Sequence, residues 1–139
     1  MTGIDEVTRP APILTEDNHF FWDAVRDGRL VAQRCLGCGR LRHPPRPMCP
    51  QCHSLGFEVV NLSGVGEVYS YALLHHPQNP AFEYPVVAAL IDLEEGVRLL
   101  SNLIDIDPAD VRIGMRVSVE FRPTRHDGAV PVFKPAAPA

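Results

Sequence analysis

CLGCGRLRHPPRPMCPQC, residues 35–52, holds every cysteine of this chain, arranged as two CxxC pairs. Cys35 and Cys38 form a first knuckle, and Cys49 and Cys52 a second. A CxxC turn points two sulfurs at one centre, and the amides inside it can donate hydrogen bonds to those sulfurs. Two such turns closing a hairpin give a tetrahedral four-sulfur site, which suits Zn²⁺ with Zn–S near 2.3 Å. Gly39 after Cys38 and Pro50 after Cys49 fit the tight knuckle geometry. His43 and His53 are further candidate ligands, but four cysteines already close the shell and leave no open position for catalysis. The expected metal is therefore structural. An iron site of the rubredoxin kind and a dithiol redox pair are the alternatives. Four thiolates around Zn²⁺ carry a net charge of about −2, which Arg34, Arg40, Arg42 and Arg46 around the stretch are placed to offset.

On the N-terminal side, LTEDNHFFWDAVRDGRL (14–30) predicts a short helix with Thr15 as N-cap and Gly28 as the stop. Phe20, Phe21 and Trp22 are consecutive, so at 100° per residue they cannot all face one core. RLVAQRC (29–35) predicts a strand into the knuckles, and SLGFEVVNLSG (54–64) a strand out of them. From there β segments follow at 66–76, 84–93, 97–105, 115–122 and 130–135, the second and third joined by Glu94-Glu95-Gly96. Asp107 and Pro108 cap one helical turn before the fourth, in which Met115, Val117, Val119 and Phe121 alternate with polar residues. The expected fold class is mainly β: an N-terminal helix, a rubredoxin-like zinc ribbon, then a five-stranded barrel of the OB type. The expected domains are 1–29 for an arm and helix, 30–62 for the ribbon and 63–139 for the barrel and a short tail. Tyr69 and Tyr71, two apart on a strand, are expected to share a face.

With 139 residues the chain suffices for one compact unit. A formal charge of −4 argues against a nucleic-acid partner, although twelve of thirteen basic residues are Arg. No run approaches a membrane span and the first residues lack a leader pattern, so the expected location is cytoplasmic. Paired cysteines in that reducing setting hold metal or do redox work more often than they form disulfides. No GxSxG, Walker or GxGxxG pattern occurs. His75, His76 and Glu83 make only a weak acid–base pair, so no catalytic set is expected.

Several motifs agree in order. Phe21-Trp22 precedes LVxQRCxxCG at Leu30–Gly39, and a CPxC follows at Cys49–Cys52. SGxGxVxSY lies at Ser63–Tyr71, YPxVxAxIxLxEG at Tyr84–Gly96, IGMxVxVxF at Ile113–Phe121 and PxFxP at Pro131–Pro135. Over about residues 15–135 the chain resembles the acyl-CoA-associated zinc-ribbon/OB-fold family, and most closely its steroid-pathway members. The resemblance implies an accessory subunit of a thiolase-like enzyme or related aldolase, or of an enoyl-CoA hydratase, acting on acyl-CoA. A retro-aldolase of steroid side-chain degradation is the specific expectation, with the partner holding the catalytic residues. Phe20, Phe21, Trp22, Arg40, Arg42 and Arg46 are the candidate interface residues. The rival functions are a stand-alone acyl-CoA-binding protein and a nucleic-acid-binding ribbon/OB module.

Overall fold

The computed structural model describes residues 9–136. Its elements run α1 (His19–Arg26), β1 (Val31–Cys35), β2 (Leu41–Arg42), β3 (Phe57–Asn61), β4 (Val65–Leu74), β5 (Val86–Leu93), β6 (Arg98–Leu103), a 3₁₀ turn at Pro108–Asp110, β7 (Arg116–Pro123) and β8 (Ala129–Pro135). The first eight residues of the expected arm lie outside the described residues.

Between the expected Thr15 cap and Gly28 stop, the regular helix begins only at His19. Thr15 Oγ accepts from the Asn18 amide while Asn18 Oδ1 accepts from the Thr15 amide at 2.7 Å, and His19 N–H bonds Thr15 O at 3.0 Å, so Thr15 caps a turn over 15–18 that leads into α1. At the other end Gly28 takes φ +79°, with Gly28 N–H bonded to Val25 O and Arg29 N–H to Ala24 O, both at 2.9 Å. That is the left-handed stop expected of glycine. Phe21, Ala24 and Val25, at i, i+3 and i+4, are buried. The three aromatics do spread over different faces: Phe21 inward, Phe20 against the Phe57 ring at 5.3 Å, and Trp22 edge-on to Phe21.

The ribbon sheet has the order β2-β1-β3. β2 has only two residues, which pair with Gln33 and Arg34, and is too short to leave a periodic pattern. The barrel is closed in the order β4-β5-β6-β8-β7, with β6 and β8 parallel. That circuit is the five-stranded Greek-key arrangement of the OB type. β5 shows why its sequence forms a barrel wall: Val87, Ala89, Ile91 and Leu93 are buried, and the residues between them are half-buried. In β7 Val117 is fully buried and Arg116 exposed, and Met115, Val119 and Phe121 pack on the core as expected, although every residue from Ser118 to Arg122 is half-buried. The cap before it forms as expected, Asp107 Oδ1 accepting from the Ala109 amide at 2.9 Å.

One apolar cluster runs through helix, ribbon and barrel, joining Phe21, Val25 and Val31 to Val68, Ile91 and Phe133. The helix packs on β1 and β8 together, so it holds the ribbon to the barrel. β4 carries a bulge between Val68 and Ser70 that leaves Tyr69 without a partner on β5. Tyr71 pairs with Ala89, a core residue, whereas Tyr69 lies under the Arg98 guanidinium on the outer surface. Directly paired residues share a sheet face, so the bulge separates the two tyrosines. The shared face expected for them is not present.

Candidate metal centre and partner-facing surface

The two knuckles are built alike. Gly37 N–H donates to Cys35 Sγ at 3.2 Å, and Gln51 N–H to Cys49 Sγ at 3.4 Å. Gly39 N–H closes the first turn on Cys35 O and His53 N–H closes the second on Cys49 O, each at 2.9 Å. Both closing residues have positive φ, +80° for Gly39 and +65° for His53. His53 therefore has a backbone role in the second knuckle corresponding to that of Gly39 in the first.

All four sulfurs lie within 4.8 Å of one another. Cys35–Cys52 are 3.5 Å apart and Cys38–Cys49 3.7 Å. A tetrahedron with 2.3 Å arms has edges of about 3.8 Å, so the spacing fits a single four-coordinate ion. The surroundings fit too. A Cβ on Gly37 would meet Cys52 Sγ and Ser54 Cβ at 3.0 Å, so the wall behind the cluster is closed to any larger residue. The Cys38 amide, joined by that of Gly37, holds the Cys35 thiol down to about 6, and the Cys52 and Gln51 amides lower Cys49. The Ser54 amide favours thiolate at Cys52 as well, but the contact with Cys35 and burial outweigh it and push Cys52 up to about 11. Thiolates this close repel one another unless a cation sits among them. Cys35 and Cys49 are buried, whereas Cys38 and Cys52 are exposed.

Two of the arginines near the ribbon are engaged elsewhere in the packing. Arg34 pairs with Glu58 at 3.1 Å. Arg42 is only 7% exposed; its Nε and Nη2 donate to Arg46 O, and its guanidinium lies over Phe57. Gln33, which sequence reasoning left without a role, is 1% exposed and bonds the Arg46 backbone at both ends, accepting from N–H at 2.9 Å and donating to O at 3.0 Å. A glutamine inside an otherwise apolar strand was the available signal, since such a group must be paired. His43 does not join the sulfur cluster; its ring lies 5.2 Å from that of Phe21, and burial pushes it down to about 4.

Of the candidate interface residues, Phe21 (3% exposed) and Arg42 are enclosed within this chain's own packing. Phe20 and Trp22 are half-buried, and Arg40 and Arg46 are exposed. Trp22 and His43 line one wall of a groove of about 470 Å³ between ribbon and barrel, and Leu100 and Pro131 line the other. Among the described residues, no hydrogen bond joins His75 or His76 to Glu83, and no helix is long and apolar enough to cross a membrane.

Residues 22–58 match the family model for the rubredoxin-like zinc ribbon domain of ChsH2, and residues 59–122 that for the C-terminal OB-fold domain of ChsH2. A chain of the solved Ltp2-ChsH2(DUF35) aldolase superposes with a TM-score of 0.86 at 46% identity, covering 91% of this chain and 99% of that one. This chain belongs to the DUF35 family. Its relatives include a probable enoyl-CoA hydratase alpha subunit of Thermomonospora curvata, 47% identical over 94% of this chain. A 3-oxo-4,17-pregnadiene-20-carboxyl-CoA hydratase alpha subunit of Mycobacterium tuberculosis is 44% identical over 84% of it. This chain spans only 41% and 37% of the length of those two proteins. The benzoylsuccinyl-CoA thiolase subunit BbsA of Thauera aromatica is 37% identical over 58% of each chain. DUF35 homologues are thus subunits of aldolase, thiolase and enoyl-CoA hydratase enzymes.

Proposed function

We propose that this chain is the small partner subunit of a thiolase-like aldolase acting on acyl-CoA thioesters in steroid side-chain cleavage. The observation that carries the reading is the superposition on nearly the whole of a chain in the Ltp2-ChsH2(DUF35) aldolase. The pregnadiene-carboxyl-CoA relative supports the substrate class. Among the described residues no hydroxyl or thiol is hydrogen-bonded to a histidine or carboxylate, and the reading assigns the chemistry to the partner. Trp22, Phe20, Arg40 and Arg46 are the side chains this reading turns toward that partner, with domain limits at 1–29, 30–62 and 63–139.

Cys35, Cys38, Cys49 and Cys52 would hold one structural Zn²⁺. The ion supplies cross-linking of the two knuckles and no open coordination position. What this chain's residues do around it is orient: the knuckle amides fix the sulfurs, and Gln33 ties the loop between the knuckles to β1.

The test is co-expression with the Ltp2 subunit of the matching aldolase, followed by sizing and an assay of retro-aldol cleavage of a steroid side-chain acyl-CoA. A stoichiometric complex that cleaves faster than Ltp2 alone is expected. Two species eluting separately, with cleavage unchanged by this chain, would refute the reading. Metal analysis should return one zinc per chain, and iron in its place would assign the site to the rubredoxin kind.

A further inference from the structure

β4 is ten residues long, but only its first part belongs to the closed wall. On one side it pairs with β5 from Gly66 to Leu74. On the other it pairs with β7 only at Val65, Gly66 and Glu67. Val68 makes the last bonds on that side, donating to Met115 O at 3.0 Å and accepting from Gly114 N–H at 2.7 Å. Past the bulge at Tyr69, no backbone bond among the described residues reaches Ser70–Leu74 from that flank. About 14 Å of strand, at 3.4 Å per residue, is left with one open edge. In an antiparallel ladder alternate residues aim both N–H and C=O at one neighbour. Two or three of these five residues therefore present unpaired donors and acceptors in register.

Folded proteins guard such edges with lysine, proline or an inward-pointing charge. Ser70-Tyr71-Ala72-Leu73-Leu74 has none of these. None of its side chains is charged, and Tyr71 and Leu73 on one face and Leu74 on the other are exposed, 37%, 39% and 47%. Ile113, beside the point where the other flank ends, is 70% exposed. A row of main-chain groups is matched only by another extended main chain, and the lack of charge on either face calls for an uncharged one.

We propose that the open edge of β4 at Ser70–Leu74 is a strand-addition site, where an extended apolar segment of the partner enzyme pairs with this barrel. The inference rests on the partner reading above and names the surface used. A partner chain, and not a second copy, is the occupant because homologues are subunits of larger enzymes and each copy of this chain carries a net charge of −4.

Residue-resolved hydrogen exchange on the full chain, alone and with the Ltp2 subunit, tests it. Every second amide from Ser70 to Leu74 should slow by at least about tenfold in the complex, while those bonded to β5 stay as protected as before. Tyr71→Pro and Ala72→Pro form a second arm, since a strand edge accepts proline where its N–H faces outward. Whichever variant keeps the parent melting temperature should bind Ltp2 at least about tenfold more weakly, whereas valine at the same position should bind normally. A complex that forms with no new protection at 70–74, and with the folded proline variant binding normally, overturns this inference and leaves the partner reading standing. Alternating protection that grows with the concentration of this chain alone would make a second copy the occupant and overturn it. No complex at all would overturn both.

Discussion

Gln33→Leu is the sharpest test of how the ribbon is held. The amide is 1% exposed and bonds Arg46 N–H and O at 2.9 and 3.0 Å, which fastens the loop between the knuckles to β1. Leucine fills a similar volume but makes neither bond. Two neutral hydrogen bonds are worth about 0.5–1.5 kcal/mol each, and an orphaned buried donor costs about 1–3 kcal/mol. The Arg46 carbonyl keeps its bonds from Arg42, so only the Arg46 amide is orphaned. The expected loss is about 2–4 kcal/mol, or roughly 8–16 °C in melting temperature for a chain of this size. Where ribbon folding and metal binding are linked, apparent zinc affinity falls in step, about tenfold per 1.4 kcal/mol. Urea unfolding and competition with a chelator measure the two effects. Arg34→Met is the control: its pair with Glu58 is half-exposed on both sides, and its loss should stay within about 0.5 kcal/mol. If Gln33→Leu unfolds within about 1 kcal/mol of the parent, the buried amide is not what holds the loop.

Gly66→Ala should prevent folding or cost more than about 3 kcal/mol, because a Cβ there drives into the Asp92 carbonyl on the neighbouring strand; soluble yield and thermal melting report it. His43 is neutral in the folded chain, lowered by burial to about 4 from an ordinary value near 6.5. Protons therefore favour the unfolded state, so this contribution is absent above about pH 6.5 and destabilises progressively down to about pH 4, by at most about 3 kcal/mol. A His43→Phe variant should lose that part of the pH dependence, and parallel urea titrations at pH 7 and 5 would show the difference. Chelation at neutral pH should strip exchange protection from β1, β3 and the knuckles while β5 and β6 keep theirs; equal loss everywhere would mean that the ribbon and barrel unfold as one unit.

Local features were legible from the sequence because local chemistry decides them. The CxxC spacing places two sulfurs in one turn, the alternation in β7 turns Met115, Val117, Val119 and Phe121 onto the core, and Asp107-Pro108 caps its turn by contacts within three residues. Gly28 ends the helix for the same kind of reason, since few other residues tolerate that φ. Four sulfurs within 4.8 Å follow from two such turns facing each other.

Other features depend on residues far apart in the chain. Gln33 meets the Arg46 backbone only once the loop has folded back. The bulge that parts Tyr69 from Tyr71 is a property of the β4–β5 register, not of either strand alone. The open edge of β4 arises because β7 begins opposite Glu67, leaving the rest of the longer strand beyond its reach. The sequence by itself thus determined the two CxxC turns and the succession of barrel strands along the chain, both encoded within a few residues. Only the tertiary structure decided which polar groups are paired inside the chain and which are left for another one, because that depends on where distant segments come to rest.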